Sequence, residues 1–525
     1  MAAPAFSDRR RLLQLAAAAT AALWLPRSAW AQHRWAANPF SLGVASGSPA
    51  PDGVVLWTRL LPLTGDSLGA QSVPVHWEVA HDEGFARIVQ RGEALAQPGL
   101  AHSVHAEVTG LEPDRWYFYR FTSGDAVSAT GRTHTIPAPG AAVRSLRLGY
   151  ASCQRWEHGY FTAWEHMREE NLDAVLFLGD YIYEYATSAN PVRVPPGGWV
   201  RDLGGYRARH ALYRSDAGLQ AMHAACPWLL TWDDHEVQND YAGLAHGNSG
   251  PEPGAGFAAR RAAAYQAYYE HMPLRASVLT RAVEGLAAGA QMRIYTQLRY
   301  GSLATLHLLD ARQYKDHQVC TPGGKPGSGH LDPASCAAWN DPARSMLGAA
   351  QERWLDQGLA TAQGWAVIGQ QTLFGQRDAL PGPGQSLWND GWDGYSAARG
   401  RLADSLRRHK VKDAVLLGGD VHENWVGHVK ADYDRPDSAS LGVEFCGTSI
   451  SSRPAAKPRT AERLAENPHF VFADAQHRGY GVAEFTPQQL TTTLRVVGDV
   501  GQPRSGIETL ARFAVQAGRP VVERA

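Results

Sequence analysis

The feature that most constrains this chain is a pair of apolar runs that end in the same abrupt way. Residues 172–184 read LDAVLFLGDYIYE and residues 413–422 read DAVLLGGDVH. In each, partly branched apolar residues run without a polar break into Gly-Asp. That is the pattern of a buried strand, and an acidic residue at its carboxyl end sits where open α/β sheets bind ligands. Two strands of nearly the same wording, each delivering a carboxylate, point to a site for two metal ions.

The surroundings repeat the pattern. Runs at 146–150, 228–231, 303–309, 366–368 and 443–446 read as further strands, and 161–170, 258–271 and 350–362 have helical spacing with abundant Ala, Glu and Arg. They predict an α/β domain over 145–515 with at least seven core strands. Residues 388–395 (WNDGWDGY) and 451–460 read as long functional or surface loops. Residues 38–138 differ in character, with short alternating runs at 54–57, 75–79 and 105–108 cut by Gly, Pro and Asp turns. This spacing predicts a small all-β sandwich ahead of the α/β domain, joined to it by Pro137-Ala138-Pro139-Gly140. The stretch from Leu111 to Arg120 resembles the corner of immunoglobulin-like and fibronectin-like domains, where a tyrosine ties a strand to the preceding turn. A length of 525 residues makes two domains the expectation in any case.

Residues 1–31 read as an export signal: Arg9-Arg10-Arg11 precede an alanine-rich apolar run that is broken at Pro26 and followed by the cleavage pattern Ala29-Trp30-Ala31. The paired arginines resemble a twin-arginine signal, which implies the twin-arginine export machinery as a partner and a periplasmic or secreted location. The apolar core is too short for a transmembrane span, and no other run of about 18 apolar residues follows. The formal net charge of -1 gives no basis for a nucleic-acid-binding surface. Five cysteines are an odd number, so at least one stands outside any disulfide count. Cys320 and Cys336 bracket a Gly/Pro-rich loop that an oxidising compartment would allow to be bridged, contributing about 3 kcal/mol. Cys226 and Cys446 lie in apolar text and read as buried thiols, whereas Cys153 stands out.

Cys153 belongs to one of four stretches that end a strand in metal-binding residue types: Ala151-Ser152-Cys153, Gly179-Asp180-Tyr181-Ile182-Tyr183, Trp232-Asp233-Asp234-His235-Glu236 and Gly419-Asp420-Val421-His422. Singly, each also suits a helix cap or a turn. Their order, GD-x-x-Y, then D-H-E, then GD-x-H, resembles the calcineurin-like metallophosphoesterase superfamily. The fuller text, ASC, GDYIYE, WDDHEVQND, WDGY and GGDVH behind an export signal and a β domain, is similar to the PhoD-type alkaline phosphatases over nearly the whole mature chain.

The resemblance implies a two-sheet metallophosphoesterase sandwich flanked by helices. It also implies hydrolysis of a phosphate ester by attack of a metal-bound hydroxide at a two-metal site, with no phosphoenzyme. The alternative it leaves open is a phosphodiesterase or phospholipase D acting on lipid or cell-wall diesters. Residue by residue, Asp180 would bridge two ions roughly 3.5 to 4 Å apart. Tyr183 would bind as phenolate, and a phenol with a free pKa of about 10 needs a Lewis acid as strong as Fe(III). Cys153 stands where the superfamily has Asp or His, and a thiolate suits a transition metal, so Cys153, Asp180, Tyr183 and His422 would form the iron site. Asp180, Asp234 and Asp420 would hold the second ion, an oxygen set that favours Ca(II), with Mn or Mg also possible. His235 would stabilise phosphoryl charge or protonate the leaving alkoxide. Asn239 and Asp240 are candidates to orient the ligands. Asn239, Trp392 and Asp393, with Tyr395, are candidates for the substrate mouth, and the aromatic ones equally for packing. Asp310-Ala311-Arg312 reads as an internal salt bridge near the site. No Walker-type loop and no Gly-x-Ser-x-Gly elbow compete with this assignment.

Overall fold

The computed structural model describes residues 33–250, 256–279, 292–435, 437–454 and 459–525. The proposed export signal lies outside these residues. The chain divides into two compact units, the first break falling at Pro137. Residues 200–229, 258–279 and 292–294 group with the N-terminal unit although they lie within the stretch 145–515 read as one domain. Polar pairing inside that unit accounts for the grouping of the second stretch. The helix Phe257–His271 presents Glu270 O to Trp57 Nε1 at 3.1 Å and His271 Nε2 to Arg59 Nη1 at 2.6 Å, all buried.

Most strands of the first unit form two antiparallel groups. In one, Val73–Ala80 pairs with Ile88–Ala96 and Trp116–Ser123. In the other, Gly53–Arg59 pairs with Val44–Ala50 and Ser103–Thr109. Alternation along Trp116–Ser123 turns Tyr117, Tyr119 and Phe121 inward, where they share a core with Val54, Leu56, Val73, Val75 and Val104. The Tyr117 hydroxyl accepts a hydrogen bond from Glu112 N at 2.9 Å, so the tyrosine tie read from the sequence is present.

The second unit stacks two sheets face to face. A seven-stranded sheet has Ala304–Leu308, Trp365–Gly369, Ala414–Gly418 and Ser440–Cys446 in parallel at its centre and antiparallel strands at its edges. Opposite it, Leu146–Ala151 and Ala174–Phe177 run parallel and continue into the antiparallel strands Arg478–Phe485, Gln489–Val497 and Ile507–Gln516. Phe513 meets Phe445 across the interior, and Trp365 meets Phe485. Helices Gly348–Ala360 and Ser396–Arg408 cover the outer face of the seven-stranded sheet, with Leu355, Leu359, Leu402 and Leu406 packed on Ala366, Ile368 and Leu416. Near-continuous apolar wording follows from this burial, since both faces of each central strand are covered. At the carboxyl ends of the parallel strands the two sheets meet through a Ser152 to Ser449 bridge.

Candidate metal centre

The four stretches read as strand ends converge. Ligand atoms of Cys153, Asp180 and His422 all lie within 4.8 Å of one another, and so do those of Asp180, Asp234 and His235, so the two groups share Asp180. The Tyr183 hydroxyl donates to Asp180 Oδ2 at 2.9 Å and lies 3.2 Å from His422 Nε2. Asp420 is on the turn that carries His422, with burial and the carboxylates of Asp234 and Asp390 setting its electrostatics against Arg312.

The backbone is bent hard to achieve this. Cys153, Asp180, Asp240, Asp420 and His422 have φ of 60°, 58°, 60°, 65° and 57°. Non-glycine residues in this left-handed region cost on the order of 1–3 kcal/mol each, and such strain concentrates at functional sites. Gly179, just before Asp180, has φ of 105°, and a Cβ there would lie 2.5 Å from Asp233 Cβ, which explains the Gly of Gly-Asp. Glu236 holds the bend by accepting from Asp180 N at 3.2 Å, Tyr181 N at 2.6 Å and Asp233 N at 2.9 Å.

Electrostatics show what kind of group the site accepts. Burial pushes the Asp180 carboxyl well above the usual range, and Asp234, Glu236 and Asp420 add to this against the pull of His235. The Cys153 thiol is pushed up by burial and by Asp180 and Asp420, and the Tyr183 phenol by burial, Asp180 and Cys153. Burial works against a charged His235, yet Asp180, Glu184 and Asp234 outweigh it and hold its pKa well above that of a free imidazole. The upward shifts of Asp180, Cys153 and Tyr183 have the sign that a multivalent cation would reverse, whereas Asp234, despite its burial, is held below the ordinary carboxylate range by Arg312 and His235. Asp234 Oδ1 is buried with no hydrogen-bond partner. A thiol, a phenol, an imidazole and a carboxylate on one side, and carboxylates on the other, fit a transition metal beside a harder ion.

His235 is oriented by a residue the sequence reading did not single out. Its Nδ1 lies 2.8 Å from Glu184 Oε2, while Glu184 Oε1 accepts from Asn239 N at 2.9 Å. A carboxylate at Nδ1 favours a proton there and fixes the ring orientation. Asn239 Oδ1 in turn accepts from the Tyr185 hydroxyl at 2.7 Å, so Asn239 stands beside this pair.

Two readings need correction. Residues 389–395 are buried throughout and form no surface loop. The Trp392 indole is 1 % exposed, donates to Gln370 Oε1 at 3.0 Å and packs on Phe374. Asp393 accepts from Arg399 Nη1 at 2.5 Å and Arg377 N at 3.0 Å. Neither forms a substrate mouth, because every polar contact they make is internal bracing. The residue of that run that reaches the site is Asp390, whose oxygen lies within 4.8 Å of those of Asp234 and Asp240. The second correction concerns Arg312. Its guanidinium bonds not to Asp310 but to Asp233 at 2.5 Å and Asp390 at 2.7 Å, with Asp234 at 3.4 Å, while Asp310 accepts from its backbone N. Lys315 Nζ adds a 2.6 Å contact to Asp390.

The sequence model of the PhoD-like phosphatases matches residues 148–494, and that of the PhoD-like phosphatase N-terminal domain matches residues 26–137. This chain belongs to the PhoD-like phosphatase family. Alkaline phosphatase D of Bacillus subtilis (strain 168) is 44 % identical over 492 residues, which covers 91 % of this chain and 81 % of that protein. A solved structure described as the structure of PhoD superposes with a TM-score of 0.87 at 43 % identity, covering 94 % of this chain and 93 % of the other. In this PhoD-like phosphatase the convergent strand ends therefore occur on the fold expected from their order.

Proposed function

We propose that the chain is an exported, metal-dependent alkaline phosphatase that hydrolyses phosphate esters where the two ligand groups share Asp180. The observation that carries this reading is that sharing: one buried carboxylate stands between a Cys153, Tyr183 and His422 side and an Asp234 and His235 side. The donor types favour Fe(III) on the first side and Ca(II), or Mn or Mg, on the second, with Asp420 as a further ligand there. When bound, the two ions supply Lewis acidity toward water and the phosphoryl group. The chain itself positions and protonates: Glu184 holds His235 so that Nε2 can donate to a phosphoryl oxygen or the departing alkoxide. Arg312 keeps Asp233, Asp234 and Asp390 in place as a fixed counter-charge. Export is supported by Arg9-Arg10 and the apolar run after them, and no helix of the described residues is long and apolar enough to cross a membrane.

The reading is tested by metal content together with a substrate comparison. Purified protein should contain iron and a second ion, should be coloured by phenolate-to-iron charge transfer, and should lose that colour in Tyr183→Phe. Turnover of p-nitrophenyl phosphate should exceed that of bis-p-nitrophenyl phosphate; the reverse order would favour a phosphodiesterase. Unaltered turnover in Asp180→Ala would contradict the site.

A further inference from the structure

The Cys320 and Cys336 bridge closes a loop whose ends have Cα atoms 6.0 Å apart. That loop is in direct contact with the acidic end of the site. Just before it, Gln318 Nε2 donates to Asp390 Oδ1 at 2.5 Å and to Asp240 O at 2.9 Å. Inside it, Ser328 Oγ donates to Asp240 Oδ2 at 2.6 Å. Asn389, the neighbour of Asp390, is gripped at three points: its Oδ1 accepts from Gly329 N at 2.7 Å, its N donates to Gly329 O at 3.0 Å, and its Nδ2 donates to Val319 O at 2.9 Å. His330–Leu331 pairs with Leu387–Trp388, and Cys336 packs with Leu331 and Leu387. Asp240 and Asp390 are thus held from a segment rich in Gly and Pro, with little regular structure of its own to keep its ends together.

We propose that this disulfide is a working part of the site: it holds Gln318 and Ser328 as positioning residues for Asp390 and Asp240, and turnover is full only when the bridge is closed. The inference rests on the phosphatase reading of the site. Opening the bridge is a two-electron step. A dithiol attacks one sulfur, the S–S bond breaks, Cys320 and Cys336 become thiols, and the dithiol leaves as its own disulfide. Reducing compartments favour the open form and oxidising ones the closed form. A folded chain is therefore less active before export and reaches full turnover after it.

Variants test this better than thiol reagents, which would also reach the Cys153 site. In the holoenzyme, Cys320→Ser/Cys336→Ser and Ser328→Ala should each lower kcat for p-nitrophenyl phosphate by about tenfold, with KM changed much less. Ser328→Thr, which keeps the hydroxyl, should restore it. Ser328→Ala should cost little more in the bridge-free background, since both changes release the same clamp. Hydrogen exchange should speed up at residues 387–395 in the bridge-free protein and stay unchanged in the Leu146–Ala151 strand. Wild-type kcat with unaltered exchange at 387–395, or fully additive losses, overturns the proposal. If the bridge-free protein does not fold, Gln318→Ala with Ser328→Ala decides, and wild-type kcat there overturns it. Absence of turnover in the wild-type protein would instead count against the phosphatase reading, while the exchange measurement would still report on the clamp.

Discussion

His235 sits between opposing demands. It is buried, which disfavours its charge, yet Asp180, Glu184 and Asp234 hold it protonated well above the ordinary imidazole range. A residue so held is suited to donate a proton to a departing alkoxide. His235→Asn should therefore lower kcat for an alkyl phosphate by roughly 10²–10⁴-fold, and by much less for p-nitrophenyl phosphate, whose leaving group needs no proton. Parallel assays on glycerol phosphate and p-nitrophenyl phosphate check this; equal losses would assign His235 to phosphoryl binding alone. Arg312 braces three carboxylates beside the site. Removing it as Arg312→Leu leaves Asp233, Asp234 and Asp390 buried without their shared cation. The expected cost is about 3–5 kcal/mol in metal-free protein, read as a lower urea midpoint. Asp180, Asp234 and His235 were legible as residues because their types and order are unusual. Glu184 was not, since a Glu near a strand end is commonplace until its partner is known, and Arg312 was legible as an internal salt bridge near the site but its partners were not.

Among the elements, the central strands were readable from apolar runs, because a strand covered on both faces tolerates few polar residues. The antiparallel strands Arg478–Phe485 and Gln489–Val497 went unread although Gln489–Val497 alternates in burial along most of its length. Thr and Arg at alternate positions lower the apolar density that the eye follows. Strand Ser440–Cys446 carries an exception to its own apolar rule. Glu444 is buried and accepts from Phe374 N at 2.6 Å and Gly375 N at 2.8 Å, yet burial pushes its carboxyl up to about 7. Because this folded pKa lies above the unfolded value of 4.5, its contribution to stability is full below about pH 4.5 and is lost as pH rises through about 7. The loss is on the order of 3 kcal/mol at most. Thermal midpoints measured between these limits should fall with pH in the native protein and fall less in Glu444→Gln; parallel slopes would show that other groups set the dependence.

For the whole molecule, the buried acids at the junction of the two sheets should make stability depend on cations. Chelation should lower the thermal midpoint, and added calcium should raise it in a concentration-dependent way, the gain in stability being about 2.7 kcal/mol at a hundredfold excess over Kd. A midpoint insensitive to chelation and to added calcium would place no cation there. The α/β core, the β domain ahead of it and the residue types at four strand ends are readable along the chain, because burial periodicity and ligand chemistry are written locally. Long-range packing sets which partners meet: Asp390 and not Asp393 faces the site, Arg312 turns to three distant carboxylates, and Cys320 pairs with Cys336 over the same loop. Three residues along a buried turn are enough to send one carboxylate to the metal-binding side and the other to Arg399, and the choice depends on which chain segments arrive from far along the sequence. The same folding brought the Gly-Asp ends of residues 172–184 and 413–422 to one place, where their carboxylates acquired a common purpose.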